Sequence, residues 1–187
     1  MKLDRIYTRG GDSGATSLGD GTRVAKHSLR IRAMGSVDEA NAAIGAVLAH
    51  AGNDVIAPVL LRIQNDLFDL GADLCVPESG DAGRSRLRIA AAQVTALEQE
   101  IDRVNAGLTA LTSFVLPGGS IASAHLHLAR AITRRAERDV AELAGAESVN
   151  PELLKYLNRL SDLLFVLARQ ANDNGAADVL WQPGLNR

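Results

Sequence analysis

Three groups of residues in this chain are of types that do chemistry. The first is the segment Ile6-Tyr7-Thr8-Arg9-Gly10-Gly11-Asp12-Ser13-Gly14-Ala15-Thr16-Ser17-Leu18, dense in glycines and hydroxyls and containing an arginine. Glycine permits positive φ and close approach of backbone N–H groups to a ligand, and Thr and Ser hydroxyls add donors. Such a loop suits phosphate, and an ordered turn that binds nothing is the alternative. It is not a Walker A loop, because Gly14 is followed by Ala15 and Thr16 and the next lysine is Lys26. Nor is it a dinucleotide fingerprint, since no βαβ pattern surrounds it.

The second group is a row on one helix. Arg130, Arg134, Glu137, Arg138 and Ala141 recur at spacings of three or four, so they share a face. Three arginines at i, i+4 and i+8 repel one another unless something anionic lies between them, either Glu137 or a ligand. The third group is polar residues beside apolar stripes: Asp38 and Asn41 along Met34, Val37, Ile44 and Leu48, and Asn158 and Asp162 along Leu157, Leu160, Leu164 and Leu167. A buried polar group without a partner costs about 1–3 kcal/mol, so these residues need partners. Buried salt bridges that fix helix register or a subunit contact would satisfy them, and so would a polyanion site. Both readings stay open on pattern alone.

Familiar catalytic constellations are missing. His125 and His127 lie two apart on a helix and point about 200° apart, so they cannot face one metal ion. His27 and His50 are isolated, and no Ser-His, His-Cys or paired-carboxylate arrangement stands out. An enzyme built this way would take its chemistry from the bound reactants and supply position and electrostatics.

The elements that must hold these residues read as helices. The first is expected over about Lys26 to Ala51. The second follows Pro58, carrying Leu60, Ile63, Leu67, Leu70 and Leu74, with Pro58 early in its first turn. The third runs from about Ile89 to Asn105 and the fourth from about Ser120 to Ala144, with Leu128, Ile132 and Val140 as its apolar stripe. The fifth follows an Asn150-Pro151-Glu152 cap and continues to about Asn172, where Asn174-Gly175 ends it. Pro77 to Arg88 reads as a mobile polar loop, Phe114-Val115-Leu116-Pro117-Gly118-Gly119 as a connection, and the tail around Trp181 as irregular. Strand-like alternation is almost absent. The expectation is an all-α, five-helix up-and-down bundle with an ordered glycine/hydroxyl-rich N-terminal loop. It is a single domain over 1–187, with segment 1–25, bundle 26–174 and tail 175–187.

The composition is compatible with this. The chain has 187 residues, 47% of them hydrophobic, enough for one full core. A formal net charge of -2 argues against a broad nucleic-acid binder. Cys75 is the single cysteine, which excludes an intrachain disulfide and disfavours a cysteine metal site. No apolar run approaches the roughly 18 residues of a membrane span, and the N-terminus does not read as a signal peptide, so a cytoplasmic protein is expected.

Tyr7-Thr8-Arg9-Gly10-Gly11-Asp12-Ser13-Gly14, Gly35-Ser36-Val37-Asp38-Glu39-Ala40-Asn41-Ala42-Ala43-Ile44-Gly45 and Leu116-Pro117-Gly118-Gly119 resemble the ATP:cob(I)alamin adenosyltransferases of the propanediol-utilisation type. So do Ala129-Arg130-Ala131-Ile132-Thr133-Arg134-Arg135-Ala136-Glu137-Arg138 and Tyr156-Leu157-Asn158-Arg159-Leu160-Ser161-Asp162-Leu163-Leu164-Phe165, and together the blocks span most of the chain in order. The resemblance implies a homotrimer of five-helix bundles with active sites between subunits. These would move the 5′-deoxyadenosyl group of ATP to the cobalt of cob(I)alamin, giving adenosylcobalamin and triphosphate. It implies that Thr8, Arg9, Gly10, Gly11, Thr16, Ser17 and Lys26 hold the triphosphate, and that Arg134, Glu137, Arg138 and Asn158 complete the ATP site. It further implies an intersubunit ion pair between Asp38 and Arg130, and a Phe114 that packs beneath the corrin ring and keeps the lower ligand off cobalt. Arg134, Asp38, Arg130 and Phe114 are thus the expected catalytic set. Mg2+ would be held mainly by the ATP phosphates rather than by side chains. A reductase and an adenosylcobalamin-dependent acceptor enzyme would be partners; nucleic acid and membrane would not. A nucleotide- or corrinoid-binding carrier that delivers adenosylcobalamin is the alternative the same motifs allow. One departure is Gly10, where the family often has Thr, which removes a potential phosphate donor.

Overall fold

The structure, a computed structural model, describes residues 6–50, 56–78 and 86–187. The N-terminal segment is more ordered than a loop: β1 (Ala15–Ser17) pairs antiparallel with β2 (Arg23–Ala25), Thr16 opposite Val24. Strands of three residues are too short to show an alternation in sequence. The connecting turn is closed by Leu18 N–H donating to Thr22 O at 2.8 Å and Thr22 N–H donating to Asp20 Oδ1 at 2.9 Å. Those bonds from Thr22 hold the Asp20 carboxyl below its usual range.

Among the described residues five α-helices follow: α1 (Leu29–His50), α2 (Ala57–Cys75), α3 (Ala91–Asn105), α4 (Ile121–Ala146) and α5 (Glu152–Gln170). The expected start of α1 at Lys26 is corrected to Leu29. Lys26 N–H donates to Gly14 O at 2.9 Å, which extends the hairpin ladder and keeps Lys26 out of the helix. The expected end at Ala51 lies outside the described residues. Pro58 occupies the first turn of α2, Ser120 caps α4 by accepting from Ser123 N–H at 3.1 Å, and Asn150 Oδ1 accepts from Glu152 N–H at 3.1 Å at the start of α5. Much of the expected loop Pro77–Arg88 also lies outside the described residues. Its last residue, Arg88, donates to Asp73 Oδ1 and to Asp73 O.

Cross-helix pairs give the directions. Arg30–Glu147, Arg32–Glu142, Ser36–Asp139 and Glu39–Arg135 run in opposite order along α1 and α4, so the two are antiparallel. Asn41 and Gln64 bridge α1 and α2, and Asn158 and Glu137 bridge α5 and α4. The up-and-down bundle encloses one core, including Ile44, Leu60, Ile63, Leu126, Leu157 and Leu160. Tyr156 is fully buried there and its hydroxyl donates to Asp66 Oδ2 at 3.0 Å; burial and that carboxylate push its pKa up.

The apolar face of α4 is rotated from the expected one. Leu128 is exposed and Ile132 half-buried, whereas Leu126, Ala129, Ala136, Val140 and Leu143 are buried. Small alanines carry the core face because α4 packs close against both α1 and α5. Among the described residues, no helix is long and apolar enough to cross a membrane.

His127 on that buried face has no hydrogen-bond partner for either ring nitrogen; its ring meets Phe165 edge-on at 6.2 Å. Burial, then the nearby Arg130 charge, lower its pKa from 6.5, while Asp178 acts weakly the other way. The unfolded chain therefore takes up a proton near pH 6.5 that the folded chain refuses until lower pH, and stability falls as pH drops through that window. Urea titrations from pH 7 to pH 5 are expected to show a steeper loss of stability in the native protein than in His127→Leu. Equal slopes would contradict this.

Candidate active site

The N-terminal loop is shaped by a few specific contacts. Arg9 adopts φ 59° and Gly14 φ 79°, bracketing two tight turns closed by Asp12 N–H to Arg9 O and Gly14 N–H to Gly11 O. The Arg9 guanidinium lies 5.6 Å from the centre of the Tyr7 ring. Arg23, on the second strand, ties loop to hairpin by donating to Gly10 O at 2.8 Å and Ser17 Oγ at 3.3 Å. Sequence reasoning missed Arg23; the recurrence of arginine opposite a hydroxyl strand was too weak a signal. Lys26 lies close over Gly11: a Cβ there would come 2.9 Å from Lys26 Nζ, so a larger residue would push the lysine end aside. The lysine end thus lies over the loop backbone at Gly11. Gly10 is different: a Cβ there would meet Thr8 Oγ1 at 3.6 Å, an ordinary contact.

Thr16, Ser17 and Lys26 form one end of a groove of about 740 Å³ whose remaining wall comes from α1 and α2. Ile31, Met34, Val37, Leu67 and Phe68 make it apolar, with Asp38 and Asn41 as its polar groups. The expected placement of Asp38 within a buried seam is corrected: Asp38 is exposed, because the groove opens the α1 face to solvent there. Asn41 is buried, donates to Gln64 O at 3.1 Å, and leaves Oδ1 without a partner.

The arginine row lies elsewhere. Arg130 is half-buried with its guanidinium 5.9 Å from the Phe165 ring and its Nε buried and unpartnered. Burial, and then the Arg134 charge, lower its pKa. Glu137 does not relieve the row; its Oε1 accepts from Asn158 Nδ2 at 3.0 Å, and Asn158 Oδ1 accepts from Arg159 Nη1 at 2.7 Å. Among the described residues no carboxylate stands within ion-pair distance of Arg130, Arg134 or Arg138. Asp162 is exposed and takes no part. Phe114 is 77% exposed, its ring 6.0 Å from that of Trp181.

The structure therefore gathers the predicted residues into two clusters. Thr8, Arg9, Gly10, Gly11, Thr16, Ser17, Lys26 and Asp38 belong to the hairpin and the α1/α2 groove. Arg130, Arg134, Glu137, Arg138 and Asn158 belong to the flank where α4 meets α5, and Phe114 lies just before α4. None of the groove's lining residues comes from α4 or α5. The hairpin precedes α1 and Phe114 precedes α4; since these helices are antiparallel, they sit at opposite ends of a helix of 22 residues, about 33 Å. Among the described residues no three His, Cys, Asp or Glu side chains converge as a metal-ligand set.

The fold is a helical bundle that carries a glycine/hydroxyl loop beside a lysine and, among the described residues, an arginine row with no carboxylate in ion-pair distance. The chain belongs to the cobalamin adenosyltransferase family, which it matches over residues 6–171. It is 55% identical over 190 residues to the corrinoid adenosyltransferase of Mycobacterium tuberculosis, covering 100% of this chain and 97% of that protein. It is 50% identical over 184 residues to the cobalamin adenosyltransferase of Cupriavidus metallidurans, covering 97% and 96% of the two. Among solved structures, a variant PduO-type ATP:corrinoid adenosyltransferase from Lactobacillus reuteri, complexed with cobalamin and ATP, superposes with a TM-score of 0.88. That match is 36% identical and covers 96% of this chain and 97% of the other.

Because a Cβ fits at Gly10, Gly10→Thr is expected to fold normally and to tighten ATP binding about fivefold, the worth of one net hydrogen bond. Calorimetric titration with ATP checks this, and weaker binding by the variant would contradict it.

Proposed function

We infer from the site and the family together that this protein is a corrinoid adenosyltransferase, using ATP and a reduced corrinoid as its two substrates. Cob(I)alamin is a strong nucleophile. The cobalt–carbon bond forms at C5′ of the ribose as the C5′–O bond breaks, and triphosphate leaves with the bonding electrons. No proton has to be removed, in keeping with residues that offer charge and position but no base.

In this reading Thr8, Arg9, Gly10, Gly11, Thr16 and Ser17 bind the triphosphate through backbone and hydroxyl donors, and Lys26 adds a cation. Arg134 and Arg138 face the charge that grows on the leaving group. Glu137 and Asn158, already hydrogen-bonded to one another, bind the nucleoside end as a fixed unit. Mg2+ enters on the ATP phosphates as part of that substrate. Phe114 packs beneath the corrin and keeps the lower ligand off cobalt.

The observation that carries the reading is the arginine row, three cations on one helix face that no carboxylate among the described residues approaches to ion-pair distance. A triphosphate supplies the missing charge. Since the row and the loop lie on different flanks of one bundle, the complete site takes its loop from one copy and its arginines from the next, as in a homotrimer. The same arrangement pairs the exposed Asp38 of one copy with Arg130 of another, giving the buried Nε its acceptor. A cytoplasmic location belongs to the same reading. A reductase provides the electron that makes cob(I)alamin, and an adenosylcobalamin-dependent enzyme accepts the product.

Incubation with ATP, Mg2+ and chemically reduced cobalamin is expected to yield light-sensitive adenosylcobalamin and triphosphate. Arg134→Ala is expected to lower kcat about 10²-fold or more with little change in melting temperature, because its partner is the ligand. Absence of product from the folded protein, or an Arg134→Ala variant of native activity, would overturn the reading.

A further inference from the structure

The segment after α5 is irregular in sequence, yet it is fastened to the bundle by a buried ion pair. Arg169 Nε donates to Asp178 Oδ2 at 2.7 Å, and the two side chains are only 4% and 2% exposed. Arg169 Nη2 also donates to Thr109 O at 2.8 Å. Asn172 sits beside them: its Oδ1 accepts from Ser120 N–H at 3.0 Å, and its Nδ2 donates to Gly118 O and to Asp178 Oδ1, each at 3.3 Å. Two glycines make room for this. Gly119 has φ 96°, and a Cβ there would overlap the Asn172 amide; Gly175 has φ 91°, and a Cβ there would strike Arg169 and Thr109.

Beyond Asp178 the chain runs alongside the Phe114 segment like a short strand. Leu116 N–H donates to Val179 O at 2.8 Å and Trp181 N–H to Phe114 O at 2.7 Å, with Val115 opposite Leu180. Ser113 Oγ donates to Trp181 O at 2.8 Å. The indole of Trp181 meets the Phe114 ring at 6.0 Å with a 59° tilt, an edge-type aromatic contact. An exposed phenylalanine on an unsupported connection would fold back onto the nearest apolar surface. Here its backbone is clamped by the tail and its ring is braced by an indole, and the clamp is anchored through Asp178 to the core.

We propose that Asp178 and Trp181 are positioning residues for the reaction: Asp178, through Arg169, fixes the tail, and Trp181 holds Phe114 outward in the orientation that meets the lower face of the corrin. The proposal rests on the reading of Phe114 given above. It assigns the tail a role at the corrin end of the site and none at the ATP end.

The test compares adenosylation started from cob(II)alamin plus reductant with adenosylation started from preformed cob(I)alamin, for Phe114→Ala, Trp181→Ala, Trp181→Phe and Asp178→Asn. Trp181→Ala and Asp178→Asn are expected to slow the cob(II)alamin-started reaction about tenfold or more. They should leave the cob(I)alamin-started rate and the KM for ATP within about threefold of native. The electron paramagnetic resonance signal of cob(II)alamin lacking its lower ligand should shrink in parallel, and Trp181→Phe should restore it. Equal losses in both assays, or no loss in either, would overturn the proposal. Trp181 is partly exposed, so Trp181→Ala decides the matter if Asp178→Asn does not fold. A selective loss in Phe114→Ala without one in the two tail variants defeats the proposal alone; no selective loss in Phe114→Ala defeats the reading beneath it.

Discussion

Ala33 and Ala40 on α1, and Ala129 and Ala136 on α4, are all fully buried, and the two helices make the most extensive contact in the molecule. Small side chains let the backbones approach, and the polar pairs along their length, from Arg30–Glu147 to Glu39–Arg135, hold a single antiparallel register. Everything about the site depends on that register. It sends the hairpin that precedes α1 and the Phe114 connection that precedes α4 to opposite ends. It also leaves the arginine face of α4 turned toward α5 and away from the groove.

On the proposed reading, each chain holds two half-sites with complementary needs. One offers hydroxyls, a lysine and an exposed Asp38 beside an apolar groove. The other offers Arg134 and Arg138, which no carboxylate among the described residues approaches to ion-pair distance, and an Arg130 whose Nε is buried without an acceptor. Charge of one sign held unneutralised on a rigid helix is preorganised for a polyanion, since no side chain must be displaced before the ligand arrives. On the proposed reading, triphosphate bound at the row would relieve its repulsion and so stabilise the fold.

Much of this was legible in the sequence, and the exceptions have physical reasons. Long stripes such as Leu60, Ile63, Leu67, Leu70 and Leu74 declare a helix, and the spacing of Arg130, Arg134 and Arg138 declares a shared face. The hairpin did not show, because three-residue strands carry no period. The core face of α4 was misread because Ala129 and Ala136 look weaker than Leu128, although close packing favours alanine. Asp38 shares the spacing of its apolar neighbours, and only the groove distinguishes an exposed rim from a buried seam. The tail was opaque because Trp181 meets Ser113 and Phe114, far away in sequence, and because the Arg169–Asp178 pair, though local, follows no helical or strand spacing.

The central claim is that one working site draws its loop and its arginines from two copies of the chain. Subunit complementation tests it most directly. Lys26→Ala and Arg134→Ala, each expected to be strongly impaired alone, are co-expressed and the mixed oligomers assayed for adenosylcobalamin formation. Random mixing should leave about a quarter of the interfaces with an intact loop facing an intact arginine row, and activity should return accordingly. No recovery in verified mixed oligomers would mean that loop and arginines serve the same chain, and the account would fail.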